Sequence, residues 1–193
     1  MKIVLDVETN GIGGFRPPRQ RVMQLAYGVW DNATALEVKT VFVKGAGEVS
    51  PRALEVHGIA LETCEAEGIA LAEAVRNMCD AMEACNLIVG HNVEFDIGCI
   101  LNQLKTDGLE EEYQRLDRLA RAIPWMCTMK AGTAICKLPR RAGPGYKYPT
   151  LAELYTKLFG EPPACRLHDA AADCEVTAKC LDGLERARRV NPV

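Results

Sequence analysis

The fold of this chain is decided near its start, by the stretch KIVLDVETNG at residues 2–11. Its apolar and β-branched residues predict a buried strand over residues 2–8, followed by a turn. Asp6 and Glu8 stand two residues apart, so both side chains point to one face of that strand. Two carboxylates there repel each other and resist ionisation unless a cation neutralises them. At a solvent-exposed strand end they would need no cation, so the pair alone leaves both interpretations open.

The rest of the chain predicts one mixed sheet. Residues 21–30 and 35–43 are predicted as two further strands, joined by a hairpin turn at Asp31-Asn32. Two more strands, at 87–90 and 123–127, follow helices and can run parallel to the first. Helices are predicted to start at Ser50-Pro51 and to cover residues 69–84, 94–104, 109–121, 128–136, 150–159 and 170–189. The pattern predicts an α/β fold: a five-stranded mixed sheet, its first three strands antiparallel, flanked by helices in a single domain of residues 1–193.

Local patterns add detail to three of these helices. An apolar stripe predicts that helix 69–84 faces the core, and it consists of Leu71, Val75, Met78 and Met82. Residues 109–121 are densely charged, which predicts a solvated helix. Thr128 is placed to cap the helix over residues 128–136.

Composition narrows the class of protein. The 193 residues are 48% apolar and 25% charged, and no apolar run approaches the ~20 residues of a membrane span. The start does not have the pattern of a signal peptide, so we expect a cytoplasmic protein with no membrane partner. A net charge of −3 does not by itself indicate a nucleic-acid binder, although bound cations would offer positive charge to phosphate. The nine cysteines contain no C-x-x-C pair, which favours reduced core side chains over zinc or disulfide sites.

Acidic residues recur at two later element boundaries. Asp96 follows the fourth predicted strand near the start of a helix, where either capping or a ligand site at the carboxyl end of the sheet explains it. Asp169 is placed to cap the last predicted helix, which leaves His168 in the preceding loop. Asp173 stands among alanines and a cysteine, where a solvated carboxylate fits poorly. Cations held by such acids, with a histidine to activate water, are what a two-metal phosphodiesterase requires.

Together the three segments resemble the DEDDh-type 3′–5′ exonucleases, a ribonuclease H-like group that includes the proofreading epsilon subunit of bacterial DNA polymerase III. The motifs D-x-E-T-x-G, H-N-x-x-F-D and H-x-A-x-x-D of that group are met, in order, by Asp6, Glu8, Thr9 and Gly11, by His91, Asn92, Phe95 and Asp96, and by His168, Ala170 and Asp173. Further similarity lies at residues 56–59, 127–129 and 151–155, so the resemblance covers most of the chain. It implies a ribonuclease H-like fold and hydrolysis of DNA, single-stranded in the first place, from its 3′ end to nucleoside 5′-monophosphates.

The resemblance also implies roles for individual residues. Two divalent cations, Mg²⁺ or Mn²⁺, would be held by Asp6, Glu8, Asp96 and Asp173, with Asp6 bridging the two positions. His168 would be the general base. Substrate contacts are expected at Thr9, Asn10, His57, Asn92 and Phe95. Asn10 departs from the pattern, because many relatives carry threonine at this position.

Two loops combine basic with aromatic residues, a pattern typical of contact with a nucleic-acid single strand. Residues 12–21 contain Phe15, Arg16, Arg19 and Arg21, and residues 139–149 contain Arg140, Arg141, Tyr146, Lys147 and Tyr148. Ordinary solvated loops are the alternative for each of these residues.

Two other functions compete with the DNA exonuclease. An exoribonuclease that trims RNA would use the same five catalytic residues. A non-catalytic nucleic-acid-binding module would keep the fold without the activity, which the presence of all five residues disfavours. A polymerase partner is compatible with the resemblance, but no long docking tail follows the last predicted helix. We therefore expect a free-standing repair, processing or phage-encoded nuclease rather than a dedicated proofreading subunit, with an oligomeric state that the sequence does not predict.

Overall fold

Five strands form one mixed sheet in the computed structural model of this chain, which describes residues 1–11, 20–31 and 35–190. The strands are β1 (Lys2–Thr9), β2 (Val22–Trp30), β3 (Glu37–Phe42), β4 (Leu87–Gly90) and β5 (Trp125–Cys127). Their order is β3-β2-β1-β4-β5; β2 is antiparallel to both neighbours, and β1, β4 and β5 are parallel. The predicted α/β fold is confirmed, whereas the single domain of residues 1–193 stays a prediction. Asn32 of the predicted hairpin turn lies outside the described residues.

Helices connect and cover these strands. They are α1 (Pro51–His57), α2 (Leu61–Glu67), α3 (Leu71–Met82), α4 (Val93–Thr106), α5 (Glu110–Ala122), α6 (Thr128–Cys136), α7 (Leu151–Phe159) and α8 (Ala170–Val190). Helix α2 was not predicted from the sequence, because it has only seven residues and begins without a side-chain cap. Among the helices in the described part of the chain, none is both long and apolar enough to cross a membrane.

The starts of two helices test local predictions. Ser50 caps α1 as predicted, because its hydroxyl oxygen accepts a hydrogen bond from the backbone N–H of Ala53. The prediction that Thr128 caps α6 is wrong, because Cys127 occupies the cap position. The hydroxyl of Thr128 instead lies 3.3 Å from the carbonyl oxygen of Gly90, at the end of β4. This acceptor belongs to a neighbouring strand, so no local sequence pattern reveals it.

The two faces of the sheet are covered by different helices. On one face, Ile3 and Leu5 of β1 belong to the main core cluster with α3 and α4. On the other face, Val4 packs against α8. Because alternate residues of a strand point to opposite faces, Asp6 and Glu8 lie on the α8 side. The alternation of side chains along β1 therefore directs both carboxylates toward α8.

Helix α5 has a buried side, although its sequence is densely charged. Leu116 and Ala120 belong to the main core cluster, and the buried Glu112 forms an ion pair with Arg76 of α3. The prediction of a wholly solvated helix over residues 109–121 is therefore wrong. Apolar residues spaced three or four apart form a narrow stripe along the helix. The many charged residues nevertheless make the average hydropathy of the helix low.

Candidate active site

Four carboxylates and one histidine meet where β1 ends, beside the starts of α4 and α8. The potential metal-ligating atoms of Glu8, His168 and Asp173 all lie within 4.8 Å of one another. Asp6 interacts electrostatically with Asp96, Asp173 and Glu8. The fold thus brings together the five residues that three distant sequence segments contribute.

Burial and the charges of neighbouring carboxylates raise the pKa of both β1 carboxyls. Burial raises the pKa of Asp6 well above its ordinary value, and the charges of Asp96, Asp173 and Glu8 raise it further. The pKa of Glu8 is raised to about 7, first by burial and then by Asp173 and Asp169. A cation at this position would remove the repulsion that raises both pKa values.

Asp96 presents a buried oxygen to the site. The residue is 3% exposed, and its Oδ2 accepts no hydrogen bond from any described residue. Burial raises its pKa to about 8; backbone hydrogen bonds from Val7 and from Asp96 itself act in the opposite direction. A buried carboxylate oxygen without a partner is costly in a finished fold. It fits a ligand to a divalent cation, for which carboxylate oxygens are the preferred donors.

His168 and Asp173 are joined at the start of α8. The backbone N–H of His168 lies 3.3 and 3.4 Å from the two carboxylate oxygens of Asp173. Burial raises the pKa of Asp173 to about 6, the His168 N–H lowers it, and Asp169 raises it. His168 has a positive φ of 67°, a conformation uncommon outside glycine, and its side chain is exposed. The imidazole therefore stands at the solvent-exposed side of the carboxylates.

His57 is buried under the end of β1. Its Nδ1 accepts a hydrogen bond from the N–H of Ile59 at 2.9 Å, and its Nε2 lies 3.1 Å from the carbonyl oxygen of Thr9. These partners assign the neutral ring with the proton on Nε2. Burial lowers the pKa of His57, and nearby His168 contributes to the lowering, while the hydrogen bond to Thr9 opposes it. His57 therefore holds the carbonyl group of Thr9 by a hydrogen bond. Contact between His57 and substrate stays a prediction.

Asn10 is engaged within the protein. Its side-chain N–H groups donate to the carbonyl oxygens of Ala46 and Glu48, and its Oδ1 accepts from the N–H of Arg21. Its backbone N–H donates to Arg21 and its carbonyl accepts from Ser50. These bonds fix the turn after β1, so the expected contact of Asn10 with substrate stays a prediction.

The other expected substrate residues have different surroundings. The hydroxyl of Thr9 accepts a hydrogen bond from Gln20 at 2.9 Å. Asn92 adopts a left-handed conformation (φ 86°) at the start of α4, without a side-chain capping bond. Phe95 is half-buried against the main core cluster. Substrate contact by each stays a prediction.

His91 ties the loop 139–149 to the end of β4. Its Nε2 lies 3.1 Å from the carbonyl oxygen of Pro149, which can only accept, so Nε2 carries the proton. Its Nδ1 lies 3.0 Å from the hydroxyl of Thr128. The base of the loop is closed by a bridge between Pro139 and Tyr146. This loop is therefore anchored to the end of β4, the strand that pairs with β1.

Exposed basic and aromatic side chains occupy that anchored loop. Arg140 and Arg141 are exposed, as are Tyr146 (48%) and Tyr148 (57%). In the other predicted loop, Arg21 forms a two-point ion pair with Asp107, and Phe15, Arg16 and Arg19 lie outside the described residues.

One residue at the site, Gln24, was not predicted from the sequence. It is buried in β2, directly opposite Glu8, and its Oε1 accepts from the N–H of Ala170 at the start of α8. The available signal was a lone amide in the apolar strand sequence VMQLAYGVW. Asp169 is the N-terminal cap as predicted, because its Oδ1 accepts from the N–H groups of Ala171 and Ala172 at 3.1 Å.

A sequence model of the exonuclease family RNase_T matches residues 3–181. The chain therefore belongs to this exonuclease family, which implies a nuclease that depends on divalent metal. The resemblance inferred from the three motifs is confirmed at the level of the family. No curated protein matches the sequence significantly.

Several solved exonuclease structures share the fold. Exonuclease X in complex with 5′ overhanging duplex DNA has a TM-score of 0.60 and 23% identity, over 97% of this chain and 92% of that one. The zinc-bound complex of E. coli exonuclease I with single-stranded DNA has a TM-score of 0.70 and 18% identity. Exonuclease I from Methylocaldum szegediense has a TM-score of 0.69 and 20% identity. Both alignments cover 98% of this chain but 41% of exonuclease I.

Proposed function

We propose that this protein is a 3′–5′ exonuclease of the DEDDh type that removes nucleoside 5′-monophosphates from DNA, with single-stranded 3′ ends as its first substrate. The observation that carries the proposal is the convergence of Asp6, Glu8, Asp96 and Asp173 with the exposed His168. Membership of the exonuclease family supports it.

The carboxylates fit divalent cations. Asp6, Glu8 and Asp173 would hold one Mg²⁺ or Mn²⁺, and Asp6 with Asp96 a second. The unpartnered Oδ2 of Asp96 and the raised pKa values of the other acids support this assignment. When bound, the cations supply positive charge to the phosphate and acidify water.

His168 acts as the general base. Its exposed imidazole accepts the proton of the water whose oxygen attacks the terminal phosphorus. The P–O bond to the preceding 3′ oxygen breaks, and that oxygen takes a proton from solvent water. The shortened strand then ends in a 3′ hydroxyl, and the released nucleotide keeps the phosphate. Asp173 holds the backbone of His168 beside the carboxylate cluster, and the imidazole extends from that backbone.

The anchored loop 139–149 would bind the strand. Arg140 and Arg141 offer charge to backbone phosphates, and the exposed rings of Tyr146 and Tyr148 offer surfaces for base stacking. Thr9, Asn10, His57, Asn92 and Phe95 remain the proposed contacts to the terminal nucleotide.

End-labelled oligonucleotides test the activity and its direction. With Mg²⁺, a 5′-labelled strand should shorten in single-nucleotide steps, and a 3′-labelled strand should release its label as mononucleotide at once. Asp6→Asn should abolish both. Asp117→Asn, which removes a half-buried carboxylate of α5 that pairs with Arg121, is the matched control and should digest DNA normally. Release of internal fragments, or equal activity of Asp6→Asn, would contradict the proposal.

Digestion of RNA and DNA side by side tests which of the two polymers is the substrate. The same five residues serve phosphodiester hydrolysis in either polymer, so DNA and RNA strands of one sequence should be compared at equal concentration. We expect a higher kcat/KM for DNA; faster digestion of RNA would instead identify an exoribonuclease.

A further inference from the structure

Gln24 is a buried amide at the edge of the carboxylate site. It is 3% exposed and stands opposite Glu8 in the β1–β2 pairing. Its strand neighbour on the same face, Ala26, packs in the cluster with α8. Gln24 therefore faces the helix that begins just after His168 and contains Asp173.

The amide makes three hydrogen bonds to the residues that the structure describes. Its Oε1 accepts from the N–H of Ala170 at 3.1 Å, and its Nε2 donates to Oδ2 of Asp169 at 3.2 Å and to the hydroxyl of Thr40 at 3.3 Å. The first two bonds reach the first turn of α8 from a strand that is distant in sequence. They connect the central sheet directly to the segment that holds the site.

Gln24 and Asp169 together accept hydrogen bonds from the N–H groups at the start of α8. The N–H of Ala170 is satisfied by Gln24, and the N–H groups of Ala171 and Ala172 by Oδ1 of Asp169. Because the first amides of a helix lack partners within it, these bonds decide where the helix begins and how it is directed. Asp169 in turn is held by Gln24, so the cap itself is anchored to β2.

Only a group that both accepts and donates fits between these partners. The N–H of Ala170 requires an acceptor, and the carboxylate of Asp169 requires a donor. Glutamate at position 24 would keep the acceptor but set a further carboxylate beside Asp169 and Glu8. An apolar side chain would leave the buried N–H of Ala170 unpaired.

We propose that Gln24 is a positioning residue of this active site, which sets the distance of Asp173 and His168 from Glu8 by fixing the start of α8. The proposal rests on the proposed function for its catalytic part. It also makes a claim about metal affinity that does not depend on turnover. Partners behind metal ligands commonly change affinity or activity ten- to a hundredfold.

Gln24→Met tests this role at nearly constant side-chain volume. We expect Mn²⁺ to bind at least tenfold more weakly in titration of the metal alone, and kcat to fall at least tenfold. The KM for DNA should change less than threefold, because Gln24 has no place in the strand-binding loop. Amide exchange at Ala170 should accelerate, since its acceptor is lost.

Thr40→Val is the matched control. It removes one of the three hydrogen bonds of Gln24 but leaves the two bonds to α8, so Mn²⁺ affinity and kcat should stay within twofold of wild type. Should Gln24→Met fail to fold, Gln24→Glu replaces it, because glutamate still accepts from Ala170. There, slow exchange at Ala170 should persist while kcat falls at least fivefold.

Two results would overturn the proposal. One is Mn²⁺ affinity and kcat of Gln24→Met within twofold of wild type, which would leave Gln24 a packing residue only. The other is an equal loss in Thr40→Val, which would place the effect in the sheet and not at α8. If the wild type digests no oligonucleotide, the proposed function fails, but Mn²⁺ affinity and amide exchange still decide the role of Gln24.

Discussion

The backbone N–H of His168 is directed at the carboxylate of Asp173, 3.3 Å from Oδ1 and 3.4 Å from Oδ2. The contact joins the proposed base to a proposed metal ligand through the main chain, and it leaves the imidazole free. Substitution of the His168 side chain therefore preserves the contact. This separates the chemical role of the ring from the structural role of its backbone.

His168→Gln should lower kcat about 10²- to 10⁴-fold, the range that a general base contributes. Its Kd for a single-stranded oligonucleotide, measured by fluorescence anisotropy, should change less than threefold, because the carboxylate cluster is intact. Thermal unfolding should shift little, since the ring is exposed. A large loss of DNA binding with unchanged kcat would contradict the role as base.

Asp96→Asn should stabilise the metal-free protein. Folding raises the pKa of Asp96 from ~3.9 in the unfolded chain to about 8. A carboxyl with a raised pKa destabilises the native state progressively as pH rises from the unfolded to the folded value. In EDTA at pH 8 we expect the variant to be more stable by about 1–3 kcal/mol, and at pH 4 to match wild type.

Chemical denaturation at the two pH values measures this difference. Glu94→Gln is the control: Glu94 precedes Asp96 by two residues on α4, but it is exposed and pairs with Lys130. Its substitution should change stability by no more than about 0.5 kcal/mol at either pH. If Asp96→Asn is less stable than wild type at pH 8, the buried carboxylate of Asp96 does not destabilise the native state.

Mn²⁺ affinity should rise steeply with pH. Glu8 and Asp173 have pKa values of about 7 and about 6, and Asp96 of about 8, so these carboxyls must lose protons when a cation binds. Between pH 6 and 8 the association constant should increase, and protons should be released. Calorimetry in buffers of different ionisation enthalpy counts them. A pH-independent affinity without proton release would remove these acids from the metal site.

Much of this architecture follows from periodicity and from short motifs. The strand 2–8 placed Asp6 and Glu8 on one face, and the predicted cap at Asp169 is present. The wrong predictions concern residues whose positions depend on contacts with other elements of the fold. Thr128 faces the carbonyl of Gly90, and the stripe around Leu116 is buried because α3 and α4 cover it. Gly90 lies 38 residues before Thr128, so no local pattern reveals that contact. The stripe on α5 is periodic in the sequence, but the dense charge around it favoured a solvated helix.

Charge reversal in the anchored loop should weaken DNA binding in a salt-dependent manner. Replacing Arg140 and Arg141 by glutamate removes about two phosphate contacts. The slope of log Kd against log salt should therefore fall by roughly 1.4 for a single strand. The control reverses Arg118 and Arg121 on α5, which changes net charge equally. An equal fall in both variants would show a general charge effect instead of a contact at the loop.

Gly90 and Gly98 should respond oppositely to alanine, although both belong to the β4–α4 unit. A Cβ on Gly90 would lie 2.8 Å from Cβ and 3.1 Å from Cα of Val93, the first residue of α4. The helix start must then move, and Asp96 moves with it. We expect Gly90→Ala to cost about 1–3 kcal/mol of stability and to weaken Mn²⁺ binding, because overpacking displaces backbone. Gly98 lies in the exposed middle of α4, and apart from the backbone of α4 itself no described residue comes within 4 Å of an added Cβ. Gly98→Ala should therefore stabilise the protein by about 0.5–1 kcal/mol and leave Mn²⁺ binding unchanged. Denaturation and Mn²⁺ titration of the two variants test this, and equal Mn²⁺ affinity in both would mean that the close approach at Gly90 does not position Asp96.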